Sequence, residues 1–148
     1  MSNQILIATV LMAVGGAMIA SQAPINAALG RSIGSPVGAA TISFAVGFAV
    51  LVIATLAIGH GPNLLRVVNS PPWLLVGGAM GAMFVFAALW SVPLLGVVTT
   101  ASLMIFGQMG AALLLDHYGA FGVAQHSINV TRVLSAALVA GGVILSRW

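Results

Sequence analysis

The chain has 148 residues, of which 61% are hydrophobic and 3% are charged. A soluble domain carries about 25% charged residues, so this composition excludes a soluble globular fold and indicates an integral membrane protein. The charged side chains are four arginines and one aspartate, and there is no cysteine for a disulfide or a thiolate. Because the arginines are scattered, the positive charge does not indicate nucleic-acid binding.

Five apolar segments are predicted to span the membrane, because a spanning helix needs about 20 mostly apolar residues. The first follows an N-terminus without the basic region of a signal peptide, so we expect it to be retained. Ser35-Pro36 and Ser70-Pro71 predict the starts of the second and third spans, since serine caps a helix and proline suits its first turn. In one all-α domain, residues 1–148, the spans are predicted at residues 4–29, 36–58, 71–92, 99–116 and 129–146.

The arginines divide evenly between the two faces of this predicted domain. Arg66 and Arg132 share the face of the N-terminus, and Arg31 and Arg147 lie on the opposite face. An excess of Lys and Arg on the cytoplasmic side normally fixes orientation, so this chain carries almost no orientation signal. Either a weak bias still sets one orientation, or the chain inserts both ways and opposite copies pair. The odd number of spans favours an antiparallel homodimer of ten helices, because inverted copies reproduce the inverted repeats of secondary transporters.

Polar residues in the first span are the main candidates for a substrate site. Gln22 and Asn26 are four residues apart and therefore share a helix face. Pro24 between them has no amide hydrogen, which leaves the carbonyl of Ala20 without its normal partner. Such interrupted helices line the cavities of transporters, although a buried carboxamide can also simply bond a neighbouring helix.

Three further residues are candidates for the same substrate site. Gln108 is in the fourth span beside Gly107 and Gly110, where cavity lining and contact with another helix are equally favoured. Ser43 is in the middle of the second span and is expected chiefly to bond its own helix, with cavity lining as the alternative. Trp90 is expected chiefly as an anchor at the membrane interface, with stacking on a substrate as the alternative.

The one acidic residue, Asp116, falls at the end of the fourth span and shares a face with Arg132. We predict a structural ion pair that closes the loop between the last two spans; a proton relay with His117 is the alternative. No histidines have the spacing of metal ligands, and no serine and histidine arrangement suggests nucleophilic catalysis. The sequence therefore predicts neither a metal, a cofactor nor an enzymatic activity.

Two pairs of small residues are spaced for close helix packing. They are Gly77 with Gly81 in the third span and Ala137 with Gly141 in the fifth. Packing within one copy is the simplest role for both pairs, and Ala137 with Gly141 would form the contact if the last span dimerises.

The stretch from Gly16 to Arg31, GAMIASQAPINAALGR, resembles the opening of the YdcZ-type five-helix proteins of the drug/metabolite transporter superfamily. The similarity continues through Gly34-Ser35-Pro36, Gly107-Gln108 and LDHYG at residues 115–119, and so covers nearly the whole chain. The resemblance implies transport across the bacterial inner membrane by dual-topology dimers. The related small multidrug exporters exchange protons for cations at a glutamate in the first helix, where this chain has only Gln22, which cannot titrate.

Together these patterns predict a secondary transporter that moves a small polar or zwitterionic metabolite across the bacterial inner membrane by alternating access. Its partners would be a second copy of the chain, the lipid bilayer and the solute. Two alternatives remain open. One is a passive channel with a fixed pore, and the other is a non-transporting subunit that stabilises a larger membrane complex.

Overall fold

The computed structural model describes residues 3–146, so Arg147 of the orientation count lies outside the described residues. The described chain is built from α-helices, with three short 3-10 turns within the connections between some of them. The helices are α1 (Asn3–Ile33), α2 (Pro36–Ala57), α3 (Gly61–Leu64), α4 (Val76–Leu95), α5 (Val97–Tyr118) and α6 (Val130–Leu145). The 3-10 turns cover Leu65–Asn69, Pro72–Leu75 and Ala120–Gly122. The predicted all-α fold class is thus confirmed for the described chain.

Four segments are long and apolar enough to cross a membrane. They are α1, α2, α5, and α4 together with the turn before it, Pro72–Leu95. The fifth predicted span corresponds to α6, which has 16 residues. At 1.5 Å per residue this is about 24 Å, less than a hydrocarbon core of roughly 30 Å. The chain is therefore a multi-pass membrane protein with four candidate spans and one shorter apolar helix.

The predicted start of α2 is confirmed, and its cause is local. The Ser35 hydroxyl oxygen accepts a hydrogen bond from the Gly38 amide at 3.0 Å, and Pro36 occupies the first helical position. Ser70-Pro71 differs, because the chain first forms the 3-10 turn at Pro72–Leu75 and becomes α-helical only at Val76.

Helix α1 continues past Pro24 and ends at Ile33 rather than near residue 29. The buried residues of α1 all lie in this last part, at Ala23, Asn26, Ala27 and Gly30. A Cβ at Gly30 would lie 3.4 Å from the Cα of Pro36, so glycine lets α2 approach closely. Packing against α2 therefore stabilises the turns that follow the proline, although Pro24 removes one backbone hydrogen bond.

The chain divides into two compact units between Leu94 and Leu95. The first unit contains α1, α2 and α4, and its core is made mostly of small side chains. Ala27 of α1, Ala39 of α2 and Leu89 of α4 are 4%, 0% and 2% exposed. Small side chains at the contacts let membrane helices pack closely, which is the main attraction between helices in lipid.

The second unit is the antiparallel pair of α5 and α6, which is joined by side-chain contacts at both ends. At one end the Thr99 hydroxyl donates to the carbonyl of Ser146 at 2.9 Å. At the other end Arg132 Nη2 bonds Asp116 Oδ2. The two residues predicted to form an ion pair are thus in contact, with about one third of each side chain exposed.

The loop between α5 and α6 is held against the end of α5 by polar contacts. The His126 amide donates to the Asp116 carbonyl at 2.7 Å, and Gln125 Nε2 donates to the His117 carbonyl at 2.8 Å. Arg132 Nη1 donates to the His126 carbonyl at 2.9 Å. The ion pair is therefore one of several contacts that close this loop.

We expect Asp116→Asn to lower the thermal stability only modestly and to leave unchanged the pH dependence of the transport that the sequence predicts. A partly exposed ion pair contributes about 1 kcal/mol or less, and Arg132 keeps its bond to His126 in the variant. Thermal unfolding in detergent measures the first effect, with Arg132→Gln and the double variant completing a mutant cycle. A variant of unchanged stability whose transport no longer responds to pH would make Asp116 the proton carrier instead.

Candidate functional site

Three of the predicted site residues, Gln22 and Asn26 on α1 and Ser43 on α2, meet in one hydrogen-bonded group, which we call the carboxamide cluster. Asn26 Nδ2 lies 3.1 Å and Gln22 Nε2 lies 3.4 Å from the same Ser43 hydroxyl oxygen. Asn26 is 5% exposed, and the other two side chains are partly buried. The structure therefore brings both carboxamides of α1 onto one polar atom of α2.

Ser43 differs from the expectation that it bonds its own helix. Thr41 and Thr55, on the same helix, do donate to carbonyls four residues earlier, at 3.0 Å and 2.7 Å. Ser43 instead accepts from α1, because α1 presents two amide donors opposite it. A buried donor without a partner costs more free energy than a hydroxyl gains from bonding its own helix.

The carboxamide cluster borders a small cavity between α1 and α4. The cavity has a volume of about 10 Å³, roughly the space that one water molecule needs. Its lining residues are Ile19, Gln22, Ala23, Asn26, Phe84, Val85 and Ala88. The predicted site residues Gln22 and Asn26 thus line a cavity and also link two helices, so the two roles that the sequence left open occur together.

Both carboxamides can form further hydrogen bonds. Each has two donor hydrogens and an acceptor oxygen, and each bonds one protein group, Ser43, among residues 3–146. No side-chain nitrogen or oxygen in this part of the chain is fully buried without a partner. The remaining hydrogen-bonding atoms of the carboxamide cluster can therefore be reached by water.

A larger pocket, which we call the arginine pocket, follows the cavity along the same two helices. Its volume is about 390 Å³. It is lined by Ala27, Gly30 and Arg31 from α1, by Pro36 of α2, and by Leu89, Trp90, Pro93 and Leu94 from α4. Trp90, a predicted site residue, is 56% exposed and forms part of this pocket rather than of the carboxamide cluster.

Gln108 lies on α5 in the second unit, and its side chain is exposed. It belongs to a different unit from the carboxamide cluster, so its place in a shared substrate site stays a prediction.

One of the predicted packing residues has a close neighbour. A Cβ at Gly81 would lie 3.7 Å from the Phe44 ring, whereas a Cβ at Gly77 or Gly141 would meet no atom within 4 Å among the described residues. Ala137 is exposed. Packing within one copy therefore uses Gly81, and the role of the fifth-span pair stays a prediction.

Sequence reasoning missed the place of Arg31 in a pocket and treated it only as one charge in the orientation count. The available signal was its spacing, because Arg31 follows Ala27 by four residues and so shares a helix face with it. It also missed that Thr99 and Thr100, at the start of the predicted span 99–116, are buried.

We expect Ser43→Ala to lower stability more than the same change at Ser21. Ser43 accepts both carboxamides, whereas Ser21 is exposed and donates to the Ala17 carbonyl of its own helix at 2.9 Å. Hydrogen bonds between membrane helices contribute on average about 0.6 kcal/mol each, so Ser43→Ala should cost on the order of 1 kcal/mol and Ser21→Ala close to nothing. Thermal unfolding of both variants in one detergent measures the difference, and equal stabilities would contradict the linking role.

A comparison with known protein families supports the resemblance seen in the sequence. Residues 7–145 match the family described as "Putative inner membrane exporter, YdcZ". No curated protein and no solved structure gave a match. The family description and the long apolar helices agree on a multi-pass inner-membrane protein from a family of exporters rather than of enzymes. Because the match covers nearly the whole chain, the protein belongs to the YdcZ family of the inner membrane.

Proposed function

We propose that the protein is a secondary transporter of a small polar or zwitterionic metabolite, working by alternating access as an antiparallel dimer of chains inserted in both orientations. Membership of an exporter family supports membrane transport at the coarse level. The observation that carries the finer proposal is the carboxamide cluster, because two carboxamides with spare hydrogen-bonding atoms border a cavity within a membrane-spanning unit.

The chemistry of the carboxamide cluster favours a ligand that forms hydrogen bonds rather than one that needs an acidic partner. Gln22, Asn26 and Ser43 carry no charge, and each can donate as well as accept. The sequence has one acidic side chain, Asp116, and Arg132 of the second unit bonds it. Exchange of a proton for a cationic substrate at a buried carboxylate is therefore not part of this proposal.

The size of the cavity favours a carrier over a fixed pore. About 10 Å³ is room for one water molecule and not for a metabolite. Ala27, Ala88 and Leu89, which lie next to the cavity, are at least nine-tenths buried. A solute of metabolite size fits beside the carboxamide cluster only if α1 and α4 move apart, which is the kind of motion that alternating access requires.

The first part of α1 supports the proposed dimer. Ile5, Leu6 and Ile7 are consecutive, so they point to three sides of the helix, and each is more than half exposed. Residues 3–14 are exposed throughout. This apolar segment needs a cover of lipid or of a second copy, and the balanced arginines of the sequence favour a copy in the opposite orientation.

We expect Gln22→Leu to abolish transport while the dimer keeps its size in size-exclusion chromatography, because leucine fills the site without supplying hydrogen bonds. A thermal-shift screen of polar and zwitterionic metabolites selects the solute, and uptake into liposomes then measures its flux. The matched control is Ser21→Leu on the neighbouring exposed position, which should transport normally. Saturation and counterflow of the unmodified protein separate a carrier from a channel.

Two results would count against this assignment of Gln22. If Gln22→Leu and Gln22→Ala both lose the folded dimer, the carboxamide cluster acts as a link between helices. If purified dimers move no solute although they bind one, the protein is a non-transporting subunit.

We expect single cysteines on opposite faces to be labelled from outside, each in part of the population. Asn63→Cys and Ile33→Cys are suitable, because they lie on opposite predicted faces and the chain has no natural cysteine. An impermeant thiol reagent on intact cells measures the labelled fractions. Two lysines added beside Arg147 should drive nearly all chains into one orientation, since positive charge favours the cytoplasmic side. Without the added lysines, labelling at only one of the two cysteine positions would contradict dual topology.

A further inference from the structure

Arg31 is an exposed cation that lines a mostly apolar pocket. The chain has four arginines and one acidic side chain, and that acid, Asp116, is bonded by Arg132. The Arg31 guanidinium makes no hydrogen bond or ion pair with any residue in the described range 3–146. Its five N–H donors are therefore available to an anion that comes from outside the chain.

The residues that line the arginine pocket indicate which chemical groups such a ligand carries besides its anionic group. Beside Arg31 the pocket presents Leu89, Trp90, Pro93 and Leu94 of α4. Its volume of about 390 Å³ lies in the range of small-molecule sites, which are mostly apolar with a few polar groups that fix orientation. Arginine binds carboxylates through two parallel hydrogen bonds, and an exposed indole ring offers a flat apolar surface.

The arginine pocket is adjacent to the carboxamide cluster along both helices. Asn26 lines the cavity and the next residue, Ala27, lines the pocket. On α4 the same step occurs between Ala88 and Leu89. The residues that line the pocket thus begin one position after those that line the cavity, on both helices. A ligand in the pocket is separated from the carboxamides by the buried side chains of Ala27 and Leu89.

We propose that the arginine pocket binds the carboxylate of a small organic acid whose apolar or aromatic part contacts Trp90 and the leucines of α4. This proposal rests on the proposed transport function in one respect, because it makes the pocket the first binding position of the transported solute. A phospholipid also combines an anion with apolar groups. The continuity with the carboxamide cluster favours a solute, and the test includes a lipid arm.

The test uses three probes of one shape and different charge: phenylacetate, phenylacetamide and phenethylamine. Binding to the purified full chain in phosphatidylcholine nanodiscs is measured by thermal shift and by tryptophan fluorescence. We expect phenylacetate to bind, and the amide and the amine to bind at least about tenfold more weakly. Hexanoate, a carboxylate without a ring, should bind through the same arginine but less tightly.

Matched variants separate a binding role of Arg31 from a general effect of charge. Arg31→Gln should weaken phenylacetate at least about tenfold, and Arg31→Lys, which keeps the charge but not the paired donors, should weaken it less. Arg66→Gln is the control, because it removes the same charge from a residue that lines neither the cavity nor the arginine pocket. Equal losses in the Arg31→Gln and Arg66→Gln variants would overturn the proposal.

Two further results would also overturn the proposal. One is no preference for the carboxylates over the amide. The other is that phosphatidylglycerol, but neither carboxylate, stabilises the protein in a way that depends on Arg31, which would make the pocket a lipid site. These measurements report binding, so they are independent of flux. Carboxylate binding that depends on Arg31, combined with normal flux in Gln22→Leu, would leave the pocket assigned and the proposed route through the carboxamide cluster wrong.

Discussion

A polar side chain buried in a membrane protein needs a hydrogen-bond partner, and this constraint links α1 to α2. Gln22 and Asn26 lie on either side of Pro24, where the backbone of α1 has lost a donor. The Ser43 hydroxyl of α2 lies opposite and bonds both carboxamides. The link between the two helices is therefore at the point where α1 is weakest, and the buried turns of α1 follow it.

Features set by neighbouring residues in the chain could be predicted from the sequence. The start of α2 follows from Ser35 and Pro36 alone, because capping is a local interaction. The contact between Asp116 and Arg132 also follows from the sequence, since a short loop returns the chain to the same end of the helix pair. The family resemblance carried by residues 16–31 was likewise visible in the sequence, and the family match confirms it.

Features set by the register between helices could not be predicted in this way. The role of Ser43 depends on which face of α2 meets α1, and α2 is apolar on all sides, so its sequence does not mark that face. The end of α1 at Ile33 depends on the close approach of Pro36 to Gly30, which overrides the expected effect of Pro24. The arginine pocket depends on α4, whose contribution of Leu89 and Trp90 beside Arg31 has no periodic signal in an apolar helix.

The proposed zwitterionic substrate and the proposed arginine pocket are consistent if the two charges of the solute bind at different places. A carboxylate on Arg31 leaves an ammonium group to be solvated nearer the middle of the membrane. Asn26 precedes Arg31 by five residues, about 7.5 Å along the helix axis. The carboxamide oxygens of Gln22 and Asn26, and the carbonyl of Ala20 that Pro24 leaves without an amide donor, are acceptors suited to an ammonium group. Once α1 and α4 move apart, a zwitterion would have each charge met by a group of α1, and the chain would need no second acidic residue to bind it.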